Sequence, residues 1–165
     1  MPYITMEDYR NLYGDMDEMI FNRMVVDACR VLDIHTTGID NVKKLKNYFP
    51  TDEEDATLVK HCACKIVNTL HQIQQAEATA LAGRGYEATA QGVRGKVISS
   101  ISAGNESISY ATANNEATAY DAAAKDKTVR DRLLAEIVWE YLAGISDSNG
   151  VGLLYMGKYP RRRRC

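Results

Sequence analysis

The chain has 165 residues and a mass of 18.4 kDa, enough for one domain, with 45% hydrophobic and 25% charged residues, an ordinary globular balance. Its net charge of −2 is uneven: setting aside Arg161 to Arg164 leaves 16 basic against 22 acidic residues, a body at −6 that is poorly suited to grip nucleic acid along a broad surface. No apolar stretch approaches the roughly 18 residues of a membrane-spanning helix, and the opening MPYITMEDYR lacks the basic start and greasy run of a secretion signal, so membrane insertion and export are not expected. Cys29, Cys62, Cys64 and Cys165 do not form the framework of a small secreted domain and read as four free thiols.

The first element is a short helix, with Thr5 as N-cap, Glu7 and Asp8 in its first turn and Gly14 as its stop. A second helix opens near Asp15 to Asp17 and carries Phe21, Val25, Ala28, Leu32 and His35 on one stripe, ending at Thr36, Thr37 and Gly38. A connection through Asn41 to Tyr48, with room for a basic helical turn, closes at Phe49-Pro50. Thr51 and Glu54 then form a capping-box signature for a helix whose stripe is Val59, Ala63, Ile66, Leu70 and Ile73.

Composition changes next. Of 19 alanines, 14 lie between Ala76 and Ala124, among Gly, Ser, Thr and Asn, and this stretch cannot supply much core. Gly83, Gly85, Gly92 and Gly95 are too loosely spaced for a phosphate cradle and read as loop. Val97 to Ser102 and Glu106 to Tyr110 flank Ala103-Gly104-Asn105 and suit a β-hairpin, which alone would be marginal in water and needs a support. An alanine-rich helix leads to Asp126, and Thr128 with Asp131 predicts the cap of a stronger helix. That helix carries Val129, Leu133, Leu134, Ile137, Val138, Tyr141 and Leu142 on a broad face and ends at Gly144. SDSNG is turn chemistry, GVGLLYMG an apolar segment that needs a cover, and KYPRRRRC a charged end. The whole reads as mainly α, a small helical bundle over 1–150 with a β-hairpin insertion near 97–110, followed by an extended tail over 151–165.

Chemistry-bearing groups are sparse. His61-Cys62-Ala63-Cys64 has zinc-ligand residue types, but side chains two apart on a helix point about 200° apart and no second pair completes a tetrahedral set, so small buried thiols are the expectation. His35 falls on its helix stripe as a core or interface imidazole. His61 and His71 sit on a predicted helix without a catalytic motif. Asp52, Glu53, Glu54 and Asp55 crowd a helix start, where they complement the macrodipole.

The opening YITMEDYRNLYG, the helix DEMIFNRMVVDACRVLDIHTTG, the middle helix starting TDEEDATLVKHCACKIV, the serine-rich VISSISAGNESISYA, and WEYLAG followed by GLLYMG resemble, in this order, the head-tail connector (adaptor) proteins of long-tailed bacteriophages. The resemblance implies a structural virion protein, not an enzyme, without catalytic residue, cofactor or metal. Typically twelve such subunits form a ring under the portal protein, and the genomic DNA passes through without sequence-specific binding. It further implies a stopper or tail-completion protein on the other side, and a place in the virion neck after assembly in the bacterial cytoplasm. Leu153, Leu154, Tyr155 and Gly157 match the family's portal-docking segment. Arg161, Arg162, Arg163 and Arg164 extend it beyond the family pattern, and Met156 stands where the family usually has a basic residue. Ile98, Ile101, Ile108 and Tyr110 of the expected hairpin would meet the neighbouring subunit, where strand addition satisfies edge amides. Two other readings compete: a nucleic-acid-binding accessory protein using the arginine run, marked by salt-sensitive DNA affinity, and a small enzyme centred on His61, Cys62 and Cys64.

Overall fold

Helix caps set the architecture. The computed structural model describes residues 2–83, 86–89, 92–95 and 118–160, and among them the chain is mainly helical. Helix α1 (Met6–Tyr13) begins with a reciprocal cap in which the Asp8 amide donates to the Thr5 hydroxyl and the Thr5 amide to the Asp8 carboxylate; Gly14, with φ of 83°, ends it. Helix α2 (Glu18–Thr36) is capped by Asp17, whose carboxylate accepts from the amides of Met19 and Ile20. The basic turn is real: α3 (Lys44–Asn47) lies between the Thr-Thr-Gly stop and Pro50.

Helix α4 (Glu53–Gly83) starts one residue away from the expected cap. Asp52, rather than Thr51, accepts from the amides of Glu54 and Asp55, because its carboxylate reaches both orphan donors. At α6 (Lys127–Leu142) the start moves the other way, by two residues: Asp126 accepts from the Thr128 amide and the helix begins before the expected Thr128 cap. Between them α5 (Ala119–Lys125) has a reciprocal Thr118–Asp121 cap. Two short strands, β1 (Tyr86–Thr89) and β2 (Gly92–Gly95), pair antiparallel with Tyr86 opposite Gly95, where the glycine spacing predicts loop. The hairpin expected at 97–110, with Ile98, Ile101, Ile108 and Tyr110, lies outside the described residues, and nothing described supports it.

The chain divides into two units: Met1–His71 with Asp131–Cys165, and Gln72–Arg130. Residues 151–160 belong to the first unit. Its core gathers Phe21, Val25, Ala28 and Leu32 of α2, Val59, Ala63 and Ile66 of α4, and Leu134, Ile137, Val138 and Leu142 of α6, with Ile4, Tyr9, Leu45 and Leu153 closing it. From Leu58 to Leu70 no residue of α4 is exposed. This helix is covered nearly all round, so Cys62, Cys64, Val67 and Thr69 are buried beside the expected stripe. Val129, expected on the apolar face of α6, is exposed. The second unit holds the rest of α4, the strand pair and α5, in which Ala123 is buried.

Candidate functional site

The most elaborately bonded place in the first unit is where the segment after α6 returns to the loop before α4. Gly144, with φ of 88°, turns the chain out of α6, Ile145 is buried, and Ser146 pairs with Gly152 in a single antiparallel bridge closed by the Leu153 amide donating to the Ile145 carbonyl at 2.8 Å. Inside this small loop the buried Asp147 carboxylate accepts from the amides of Asn149 and Val151, both at 2.9 Å, which is how an aspartate holds a turn. Its second oxygen accepts the Tyr159 hydroxyl at 2.6 Å, and the Asn149 side-chain amide donates to that hydroxyl at 2.9 Å.

Lys44 is the centre of the arrangement. Only 1% of the residue is exposed, and its ammonium, with three protons to place, donates to the carbonyls of Gly152 at 3.1 Å, Leu153 at 2.7 Å and Tyr155 at 2.5 Å. The Tyr155 ring centroid is 5.8 Å away, within cation–π range. Burial pushes the Lys44 ammonium below the usual lysine range, and the carboxylates of Asp147 and Asp40 oppose that push. A lysine in the sequence KKLKN thus serves as an internal clasp on residues 152–155.

Three further ties extend the clasp. The Ile39 amide donates to the Met156 carbonyl at 3.0 Å, the Tyr159 amide donates to Asp40 Oδ2 at 2.7 Å, and the Tyr48 and Tyr159 rings stack at 4.9 Å with planes 11° apart. The bond from Tyr159 holds the Asp40 carboxyl below its ordinary value, while burial and then Asp147 raise the Tyr159 hydroxyl to about 12. Close approach explains two glycines: a Cβ on Gly38 would lie 2.5 Å from the Gly157 carbonyl oxygen, and one on Gly157 would lie 2.3 Å from the Tyr155 hydroxyl. The Thr-Thr-Gly stop of α2 is therefore the seat of the C-terminal segment as well as the end of a helix.

The residues expected to dock on a portal divide accordingly. Leu153 is fully buried in the chain's own core. Of the apolar segment expected to need a cover, Leu153 finds it within the chain. Leu154 is partly buried against the same core, Tyr155 and Met156 are each 50% exposed, and Gly157 lies against Gly38 and Tyr155. Arg161 to Arg164 lie outside the described residues. Lys44, Asp40, Tyr48, Asp147 and Tyr159, none of which stood out as site residues, bind the segment. Only SDSNG had announced its turn.

No reactive constellation assembles at the positions considered for chemistry. Cys62 and Cys64 are buried, the Cys62 sulfur pointing to the Ile137 carbonyl at 4.0 Å, and burial raises both thiols to about 12. Among the described residues no three His, Cys, Asp or Glu side chains gather as a metal-ligand group. His35 is half-buried; burial lowers its pKa and Asp131 opposes the shift. The thiols make a measurable prediction. Unfolded thiols ionise near 9 and the folded ones near 12, so in that window the folded state holds more protons and stability must fall as pH rises. Urea unfolding at pH 8 and pH 10.5 should show this loss, and a Cys62→Ala, Cys64→Ala double variant should lose visibly less over the same interval; an equal loss would remove the thiols from the explanation.

Among the described residues no helix is long and apolar enough to cross a membrane. Compared with models of protein families, with curated proteins and with solved structures, the chain matches none.

Proposed function

We propose that this chain is a structural subunit of a head-tail connector of a long-tailed bacteriophage, a ring that joins the capsid portal to the next neck or tail-completion protein around the DNA passage. The reading starts from the order of sequence elements, and the observation that carries it is the fixed C-terminal strap. Residues 152–160 are tied to Lys44, Ile39, Asp40 and Tyr48, and this leaves Tyr155 and Met156 half-exposed on an immobilised backbone. A recognition element held in place loses less entropy on docking than a free tail.

The strap refines which residues do the docking. Tyr155 and Met156 form the apolar tip, Leu153 and Gly157 shape it from within, and the arginines that follow Pro160 add charge for carboxylates on the portal. An acidic body suits a conduit for DNA, since a lumen that gripped phosphate would stall the strand. The role is mechanical, with no chemical step. Within this reading the sequence VISSISAGNESISYA is where strand addition between neighbours would be sought.

The test mixes the full chain with portal rings and images the mixture by negative stain. A second ring seated on the portal is the expected result, and Met156→Asp, which places a charge on an exposed tip without touching the clasp, should weaken association at least tenfold. Portal rings that stay bare at micromolar protein would overturn the proposal. DNA affinity that vanishes when the chain ends at Pro160, without any portal association, would establish the competing reading as a nucleic-acid accessory protein.

A further inference from the structure

The surface of the first unit carries a second feature that the strap does not use. Met19, Val26 and Ile34 of α2 are 76%, 66% and 58% exposed, and with Arg30 they fall within about 80° of arc by the helical period. Beside them runs a groove of about 930 Å³ whose floor includes Val25 and Cys29 and whose rim carries Arg30 and Lys43. Asp33, also in the groove, accepts a hydrogen bond from the Tyr3 hydroxyl. With one carboxylate so engaged and two cations at the rim, the groove is an apolar trough with a basic edge.

On α6 the same unit has the complementary feature. Trp139, the chain's single tryptophan, is 63% exposed, one turn beyond the exposed Arg132–Glu136 pair and next to the exposed Glu140. At this exposure an aromatic side chain of such size leaves up to about 160 Å² to be covered, and tryptophan is among the residues that most often dominate an interface. We propose that Trp139 of one copy enters the α2 groove of a second copy, with Glu140 facing Arg30 and Lys43. When each copy gives its tryptophan to one neighbour and its groove to another, the contact is head-to-tail and closes into a ring or continues as a filament, whereas reciprocal exchange between the same two copies closes as a two-fold dimer. The inference deepens the connector reading by naming the ring contact, and it rests on that reading only for the claim that the contact closes.

The single tryptophan gives a direct readout. The full chain is studied by sedimentation and by Trp fluorescence from 1 to about 500 μM, in low and in high salt. Concentration-dependent association is expected, with a blue shift of the Trp139 emission, at least tenfold less iodide quenching, and at least tenfold weaker association in high salt. Val26→Asp in the groove and Trp139→Ala on α6 should each weaken association at least tenfold. Both positions are exposed, so each variant should keep the wild-type circular dichroism. A chain that stays monomeric throughout, or that associates with an unshifted Trp139 emission or equally well in both variants, would overturn the contact. Bare portal rings alongside a Trp139-dependent oligomer would reject the connector and leave the contact standing. A decorated portal with a monomeric free chain would do the reverse.

Discussion

Replacing Lys44 by methionine lowers the stability of the first unit by about 3 kcal/mol, read as a shift of the urea midpoint at unchanged slope. Methionine can fill the space of the lysine stem, so the loss comes from the ammonium rather than from packing. Three carbonyls, those of Gly152, Leu153 and Tyr155, lose their donor together. A buried acceptor left without a donor costs about 1–3 kcal/mol, which would allow a total well above 3. The bonds to Gly152 and Tyr155 are only partly buried, however, and water can replace the donor there, whereas the bond to Leu153 is buried and cannot be rescued. One full penalty and two reduced ones give the stated figure. Lys44→Arg should recover little of it, because a planar fork cannot converge on three carbonyls as a tetrahedral ammonium does. A methionine variant within 1 kcal/mol of wild type would mean that the strap is held by Leu153 and the tyrosines and that the clasp is incidental.

That clasp was the part of the molecule least legible in the sequence, for a definable reason. Lys43, Lys44 and Lys46 stand in one short run, and local pattern gives no ground for burying the second of them; only the return of residues 152–155 supplies the three acceptors that make burial tolerable. Helix positions were legible because caps and stripes are local. Thr5 with Asp8 starts α1, and Phe21, Val25, Ala28 and Leu32 face inward on α2, as their spacing predicts. At Thr51-Asp52 and at Asp126 to Thr128 two competent caps lie within two residues of each other, and in both the aspartate prevails, with its more reachable oxygens. Periodicity weighs large side chains, so the stripe Val59, Ala63, Ile66, Leu70 and Ile73 marks only part of the buried surface of α4. A central helix also buries cysteine and threonine on its other sides. Asp147 stands in the turn chemistry of SDSNG, but its bond to Tyr159 joins residues 12 apart and has no local signature.

Ending the chain after Gly150 should abolish cooperative folding of the first unit, whereas ending it after Pro160 should leave the melting temperature within a few degrees of wild type. The longer deletion removes Leu153 from the core, a loss comparable to the 2–5 kcal/mol of a buried leucine truncation. It also strands the Lys44 ammonium without its three carbonyls, and breaking the partners of a buried charge costs about 3–5 kcal/mol. The Asp147 turn loses the Val151 amide, and Tyr48 loses the Tyr159 ring. Together these approach or exceed the roughly 5–15 kcal/mol by which a domain of this kind is stable, so circular dichroism should show a broad, early transition or none. The shorter deletion removes only residues 161–165 and none of these contacts. A sharp, wild-type-like melt after Gly150 would mean that residues 151–160 merely lie on a body that folds without them. The contrast also decides how docking can be probed. If the longer deletion unfolds the unit, its failure to bind a portal carries no information about recognition, and only Met156→Asp and the chain ending at Pro160, both folded, can separate an apolar tip from a basic end as the element that makes the contact.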